Sequence, residues 1–392
     1  MQAQQKQRLA WPDVAKGVSI LGVVILHISV AVPGAQETWL ASLNNVIDPL
    51  RMPLFFLVSG FFSYKVFRYS LPQLFRRRLW YFIIPYIVWS AGELWTNSVL
   101  NHINFGDPIY SVRHVAVQLL LGHTMGWFLH ALILFNVALW AVRKLPTPLA
   151  LAASFTPVFF LPWADTYFFI GKALMYLPVF IGGAYLRRHI ADFTAVGNRL
   201  IRWVAHPRQE ALPGAGVAAF FVAGGLYALG YWVRSAWDAR ETVPEVPWYL
   251  PGPDTLNAEQ IKLVVRLVEQ LLMAPVGLLG AVALAAVPLV SPALQFVGRH
   301  TLPVYLSHPI ALDLSFGMLL AHSSLEIYPG GPWPVHATSF WVAVCIAVCA
   351  AGSVLLWAAG RVPVLRWTLK PPALEGRRAS REPLVGAGNV DS

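Results

Sequence analysis

The chain has 392 residues, of which 57% are hydrophobic and only 12% charged. A soluble chain carries about twice that share of charge, so a soluble globular enzyme is excluded and an all-α polytopic membrane protein is expected. The formal net charge of +10 lies between apolar runs, so its expected partner is the anionic leaflet of a bilayer and not nucleic acid.

A short segment, 1–10, brings Lys6 and Arg8 ahead of the first apolar run, which starts at Trp11. The run is long for a cleaved signal and is interrupted by Lys16 and His27, which predicts an uncleaved first span. Lys16 and His27 are eleven residues apart. At about 100° per residue both side chains point the same way, about 16 Å apart along the axis. Asp13 sits one turn below Lys16 on a neighbouring face. Ionisable groups within a span normally face a bundle interior or a watery cavity. Lys16 alone suits a plainer role, snorkelling to the headgroups; His27 has no such outlet.

Ten spans are predicted, at roughly 12–32, 46–64, 79–99, 126–142, 148–162, 167–186, 213–233, 263–289, 301–321 and 337–359. With the N-terminus inside, most Lys and Arg residues fall on the cytoplasmic side, as the positive-inside rule requires, and both termini are cytoplasmic. The second span carries Arg51-Met-Pro-Leu-Phe-Phe-Leu-Val-Ser59-Gly60. Arg51 can hold Asp48, a carboxylate or a sugar oxygen near the outer end, and Ser59-Gly60 permits close approach of another helix. The third span opens on Arg76, Arg77 and Arg78, a topology determinant that also suits the phosphates of a cytosolic ligand. The fourth begins near Trp127, an interface anchor, with His130 one turn deeper, a position that suits packing as readily as chemistry. Long outer stretches at 97–125 and 234–260 mix carboxylates with aromatic rings, a composition fit for a sugar surface and equally for a solvated loop. In the ninth span Tyr305 and His308 share a face ahead of Pro309. Cys345 and Cys349 lie one turn apart in an apolar run and read as small packing residues. The segment 361–392, basic and rich in Pro and Gly, reads as a disordered cytosolic tail. No nucleotide loop, nucleophile elbow or metal-spaced His/Cys set is present, so no metal is expected and the strongest candidate base is a membrane-embedded histidine.

Taken together and in this order, Lys16-x10-His27, the Arg51 to Gly60 run, Arg76 to Tyr86, Trp127-Phe-Leu129 and Tyr305-Leu-Ser-His308 resemble the membrane acyltransferase family 3, over about residues 11–360. The opening Trp-x-Asp13-x-x-Lys16-Gly is similar to its fucose-acetylase-like branch. The resemblance implies a multi-pass protein of the bacterial cytoplasmic membrane that moves an acyl group, usually acetyl, from cytosolic acyl-CoA to a hydroxyl of a sugar or cell-envelope glycolipid. By the same resemblance His27 is the essential histidine, Lys16 its basic partner, and Arg76–Arg78 the basic motif of the third span. Many members carry arginine where this chain has Lys16, so a bidentate phosphate contact gives way to a point charge. No esterase-type domain follows the spans, which implies that any second transfer step needs a separate protein. On this reading His27 is the general base, with Tyr305, His308 or Arg51 stabilising the oxyanion. Lys16 and Arg76–Arg78 hold the donor, and Asp13, Ser59, Trp127 and His130 are candidate contacts to substrate. The alternative is a proton-coupled transporter or flippase that uses Asp13, Lys16 and His27 as a relay.

Overall fold

The structure, a computed structural model, describes residues 9–207, 211–242 and 245–374. Lys6, Arg8, Arg208 and the tail from 375 onward, including Arg377, Arg378 and Arg381, lie outside the described residues. Helices α1 (Trp11–Ala31) and α2 (Trp39–Phe61) form an antiparallel pair at the centre. The end of the bundle that carries Arg76–Arg78 is termed the basic end below. There the short α3 (Leu71–Leu74) and a π turn at Phe75–Leu79 feed α4 (Trp80–Phe105). At the opposite end α5 (Val112–Leu121) lies on the surface and buries no residue. Next come α6 (Trp127–Val142), α7 (Thr147–Ala153), a 3-10 stretch at Thr156–Trp163, and α8 (Phe168–Tyr185). The second half comprises α9 (Arg187–Ala205), α10 (Gly214–Asp238), α11 (Ala258–Ala286), α12 (Val290–Arg299), α13 (Thr301–Leu312), α14 (Met318–Ala321), α15 (Thr338–Ala359) and α16 (Pro363–Leu369). Among the described residues the only strands are Val246–Pro247 and Thr255–Leu256, paired antiparallel in the loop before α11.

Among the described residues, seven stretches are long and apolar enough to cross a bilayer: Trp11–Ala31, Trp39–Arg68, Phe168–Tyr185, Gly214–Asp238, Ala258–Ala286, Thr301–Ala321 and Thr338–Ala359. The other three expected spans take different forms. The third falls on α4, a long helix that carries Glu93, Asn97 and Asn101 among its apolar residues. The fourth is the 16-residue α6. The fifth breaks after Ala153, where α7 gives way to the 3-10 stretch around Pro157 and Pro162, whose missing N–H groups cannot continue an α-helix. The basic stretch from Arg187 is no loop: α9 is strongly amphipathic and turns Ile190, Thr194 and Gly197 inward. Part of the C-terminal region is also ordered, as α16 packs against α4 and Trp80 Nε1 donates to the Pro372 carbonyl at 3.0 Å.

Lipid tails are as apolar as leucine, so helices in a membrane associate through close packing and polar contacts. Two glycine seams show this. A Cβ on Gly60 would stand 2.0 Å from the Phe180 carbonyl oxygen, and one on Gly183 2.3 Å from that of Leu57. These clashes lock α2 against α8 backbone to backbone, as Ser59-Gly60 predicted. A Cβ on Gly298 would stand 1.8 Å from the Asp13 carbonyl oxygen and one on Gly17 2.3 Å from that of Leu294, which sets α12 directly on α1. Around α2 the core is aromatic: Phe56 stacks on Tyr176 at 5.0 Å and meets Phe128 and Phe135 at 4.9 and 5.1 Å. Cys345 and Cys349 are buried, unpaired packing residues of α15.

Candidate active site

A cavity of about 310 Å³ is lined by residues of α1, α2, α4, α6 and α13. Lys16, Phe62, Arg78 and Tyr81 line one end, and Val23, Met52, Phe128 and Tyr305 the other. Lys16 Nζ lies 5.4 Å from the centre of the Phe62 ring, which holds the ammonium over an aromatic face. Ser59 lines the wall, with its hydroxyl donating to the Phe55 carbonyl at 2.8 Å.

The three arginines are not equivalent. The π turn at Phe75–Leu79 leaves Arg76 and Arg77 exposed and turns Arg78 into the cavity. Arg77 lies 5.9 Å from the Tyr69 ring centre. Arg78 Nε donates to Asn136 Oδ1 at 2.9 Å and its Nη2 to Ser63 Oγ at 2.6 Å. Asn136 and Ser63 are fully buried, and their own donors are spent on the Leu132 and Ser59 carbonyls. They therefore present acceptors to the guanidinium and fix its direction.

Just past the cavity's far end, the rings of His27 and His308 lie 5.0 Å apart. His308 has no exposed surface. Its Nδ1 is 3.1 Å from the Val304 carbonyl; a carbonyl only accepts, so Nδ1 carries the proton and Nε2 is left as an acceptor. Nε2 has no hydrogen-bond partner among the described residues. Tyr305, one turn before, has its ring 6.0 Å from that of His308. Its hydroxyl donates to the Met125 carbonyl and accepts from the Phe128 N–H at 3.1 Å, which closes the cavity against the loop before α6. Arg51 is 6% exposed and ion-paired with Asp48 at 2.7 Å, and Asp48 also meets Arg266 at 3.4 Å. Arg51 packs against α1 at Gly22, where a Cβ would stand 2.8 Å from its Cδ.

The structure thus gathers Lys16, Ser59, Arg78 and Tyr305 along one cavity and sets His27, His308 and Arg51 at its far end. Other expected residues lie elsewhere. Asp13 is ion-paired with Arg299 at 3.4 Å. Trp127 stacks on Tyr176 at 5.8 Å and receives Lys172 Nζ over its ring at 4.6 Å. His130 sits 5.5 Å from the Tyr86 ring and against Gly122. Asn136 and Ser63 escaped sequence reading; a buried Asn in the otherwise apolar α6 was the available signal. Among the described residues, no group of three or more His, Cys, Asp or Glu side chains is gathered for a metal ion.

A cationic mouth and an imidazole pair at the far end suit transfer of a group carried on a phosphate-bearing donor. A family model described as an acyltransferase domain matches residues 9–357. The chain belongs to acyltransferase family 3. No curated protein and no solved structure matches it. The family match spans the helices that carry Lys16, Arg78, His27 and His308, so the acyltransferase domain and the cavity are the same part of the molecule. With seven apolar stretches of spanning length among the described residues, this family 3 acyltransferase is an integral membrane protein.

Proposed function

We propose that the protein is an O-acyltransferase that takes an acyl group, in the first instance acetyl, from acyl-CoA at the basic, cytoplasmic end and delivers it to a hydroxyl of a sugar or glycolipid arriving from the opposite side. One observation carries this reading: the cavity runs from Lys16 and Arg78 to Tyr305, beside the His27–His308 pair. A cavity of about 310 Å³ suits the slender pantetheine arm and not the nucleotide. The phosphates then stay at the mouth, near Lys16, Arg78 and the exposed Arg76 and Arg77. The apolar walls of Ile20, Met52, Phe55 and Leu132 exclude water that would hydrolyse the thioester.

In the reaction His27 takes the proton of the acceptor hydroxyl as its oxygen bonds to the thioester carbon. Arg51 faces the charge that develops on the carbonyl oxygen. The carbon–sulfur bond then breaks, and the thiolate leaves with the proton returned by the imidazolium, giving an ester and CoA thiol. His308 holds the His27 ring in place and keeps water from it. The test is transfer of labelled acetyl from acetyl-CoA by purified protein with wild-type His27 and with His27→Ala. Transfer that survives the substitution unchanged removes His27 from the mechanism. A protein that binds no acyl-CoA but moves a solute in response to a proton gradient is a transporter instead.

A further inference from the structure

Arg51 lies on α2 between Pro49 and Pro53, and two of its nitrogens have different fates. Nη2 donates to Asp48 Oδ1 at 2.7 Å, one turn back on the same helix. Nε is buried and has no hydrogen-bond partner among the described residues. Nε and Nη2 form the side edge of a guanidinium, a fork that a carboxylate often takes with both of its oxygens. Here only one tooth of the fork is used. A charged donor left unpaired in a dry interior is costly to keep, and an oxygen that gains negative charge during a reaction is the partner that suits it.

The reason for the one-toothed contact lies on another helix. Asp48 Oδ2 accepts from Arg266 Nη2 of α11 at 3.4 Å. Asp48 therefore stands between two guanidiniums with one oxygen for each, and it cannot close on both Arg51 nitrogens without leaving Arg266. The nearby charges have contacts of their own. Glu269, one turn along α11, meets Arg234 at 3.4 Å, and Arg234 also meets Asp238 at 3.7 Å. Lys172 of α8 holds its Nζ 4.6 and 4.5 Å from the centres of the Trp127 and Phe168 rings.

We infer that Asp48 and Arg266 are positioning residues for Arg51: Asp48 fixes the guanidinium through Nη2, and Arg266 draws the second carboxylate oxygen away so that Nε–H stays free for the carbonyl oxygen of the acyl group. The role in turnover rests on the acyl-transfer reading, in which Arg51 faces that oxygen; the geometry around Asp48 does not. Without Arg266, the Asp48 carboxylate swings onto both nitrogens and spends the donor that the reaction uses.

The test follows two readouts on full-length protein in nanodiscs. One is kcat and KM for acetyl-CoA, with the envelope-glycan fraction of the expressing cells as acceptor. The other is the Nε–H resonance of Arg51 by proton–nitrogen NMR, assigned through its loss in Arg51→Lys. Arg266 is 42% exposed at its side chain, so Arg266→Gln is expected to fold. It is expected to lower kcat at least about tenfold, to leave KM within about threefold, and to move the Arg51 resonance to that of an ion-paired N–H. Arg266→Lys keeps a point charge for Oδ2 and is expected to hold kcat within about threefold of wild type. Adding Asp48→Asn to Arg266→Gln is expected to restore both kcat and the resonance, because an amide has one oxygen and cannot take both nitrogens. A double variant worse than Arg266→Gln alone, as a merely structural ion pair would give, overturns the inference. So does transfer that is lost in Arg51→Lys and indifferent to Arg266→Gln, which leaves the acyl-transfer reading standing. The expected resonance shifts in a protein that transfers no acetyl support the positioning and sink the acyl-transfer reading.

Discussion

Two cavities flank the hydrogen bond between Tyr305 and Met125, built from similar apolar helices but differently lined. One is lined by Lys16 and Arg78 and ends beside the His27–His308 pair; the other, of about 540 Å³, is lined by Glu93 and Asp165 and lies beside the surface helix α5. The difference teaches that similar apolar helices can enclose polar cavities of different lining, with a single tyrosine hydroxyl hydrogen-bonded between them.

The largest expected break in this arrangement is His27→Ala. Loss of a general base lowers turnover about 10²- to 10⁴-fold, measured as acetyl transfer by purified protein, while protein level and membrane insertion stay normal. Next in size is the split among the arginines. Arg78→Ala removes a guanidinium aimed into the cavity and leaves buried Asn136 and Ser63 acceptors unmet, so KM for acyl-CoA is expected to rise about tenfold to a hundredfold. Arg77→Ala, on an exposed side chain, is expected to change it less than about threefold; equal effects from the two would contradict the π-turn placement. Tyr305→Phe removes the hydroxyl that positions the Met125 carbonyl and the Phe128 N–H at the wall of the cavity, and the disturbed wall is expected to lower turnover about fivefold to thirtyfold, with less change in acetyl-CoA affinity. The smallest effect on chemistry comes from Gly60→Ala. Its Cβ cannot fit against Phe180 without moving α8, so stability falls by about 1–3 kcal/mol, read as a lowered midpoint of thermal unfolding in detergent.

Much of the basic chamber was legible in the sequence because it depends on helical spacing. Lys16 and His27 share a face by count, as do Tyr305 and His308; Lys16 and Tyr305 line one cavity, and the two histidines meet just past its far end. Gly60 announced a close helix contact and makes one. What spacing cannot show is a change of period. The π turn that turns Arg78 inward while Arg76 and Arg77 stay out is invisible in a run of three identical residues. Nor does spacing reveal partners from distant segments, such as Asn136 for Arg78, Arg299 for Asp13, or Met125 for Tyr305. The second cavity was harder to read, since its walls come from α4, α5, the loop before α6 and the start of α8, and its polar groups looked like ordinary loop residues. The segment expected as a span at 79–99 is one continuous helix whose polar side chains lower its hydropathy, whereas the one at 148–162 breaks at its prolines.

The central claim is that the basic chamber holds the acyl donor. Titration of acetyl-CoA into detergent-purified protein by calorimetry tests it, with wild type compared against Lys16→Ala. The expected result is saturable binding near one site per chain, weakened about tenfold when the Lys16 charge is removed. No heat of binding with any acyl-CoA, from a protein shown to be folded, would contradict it.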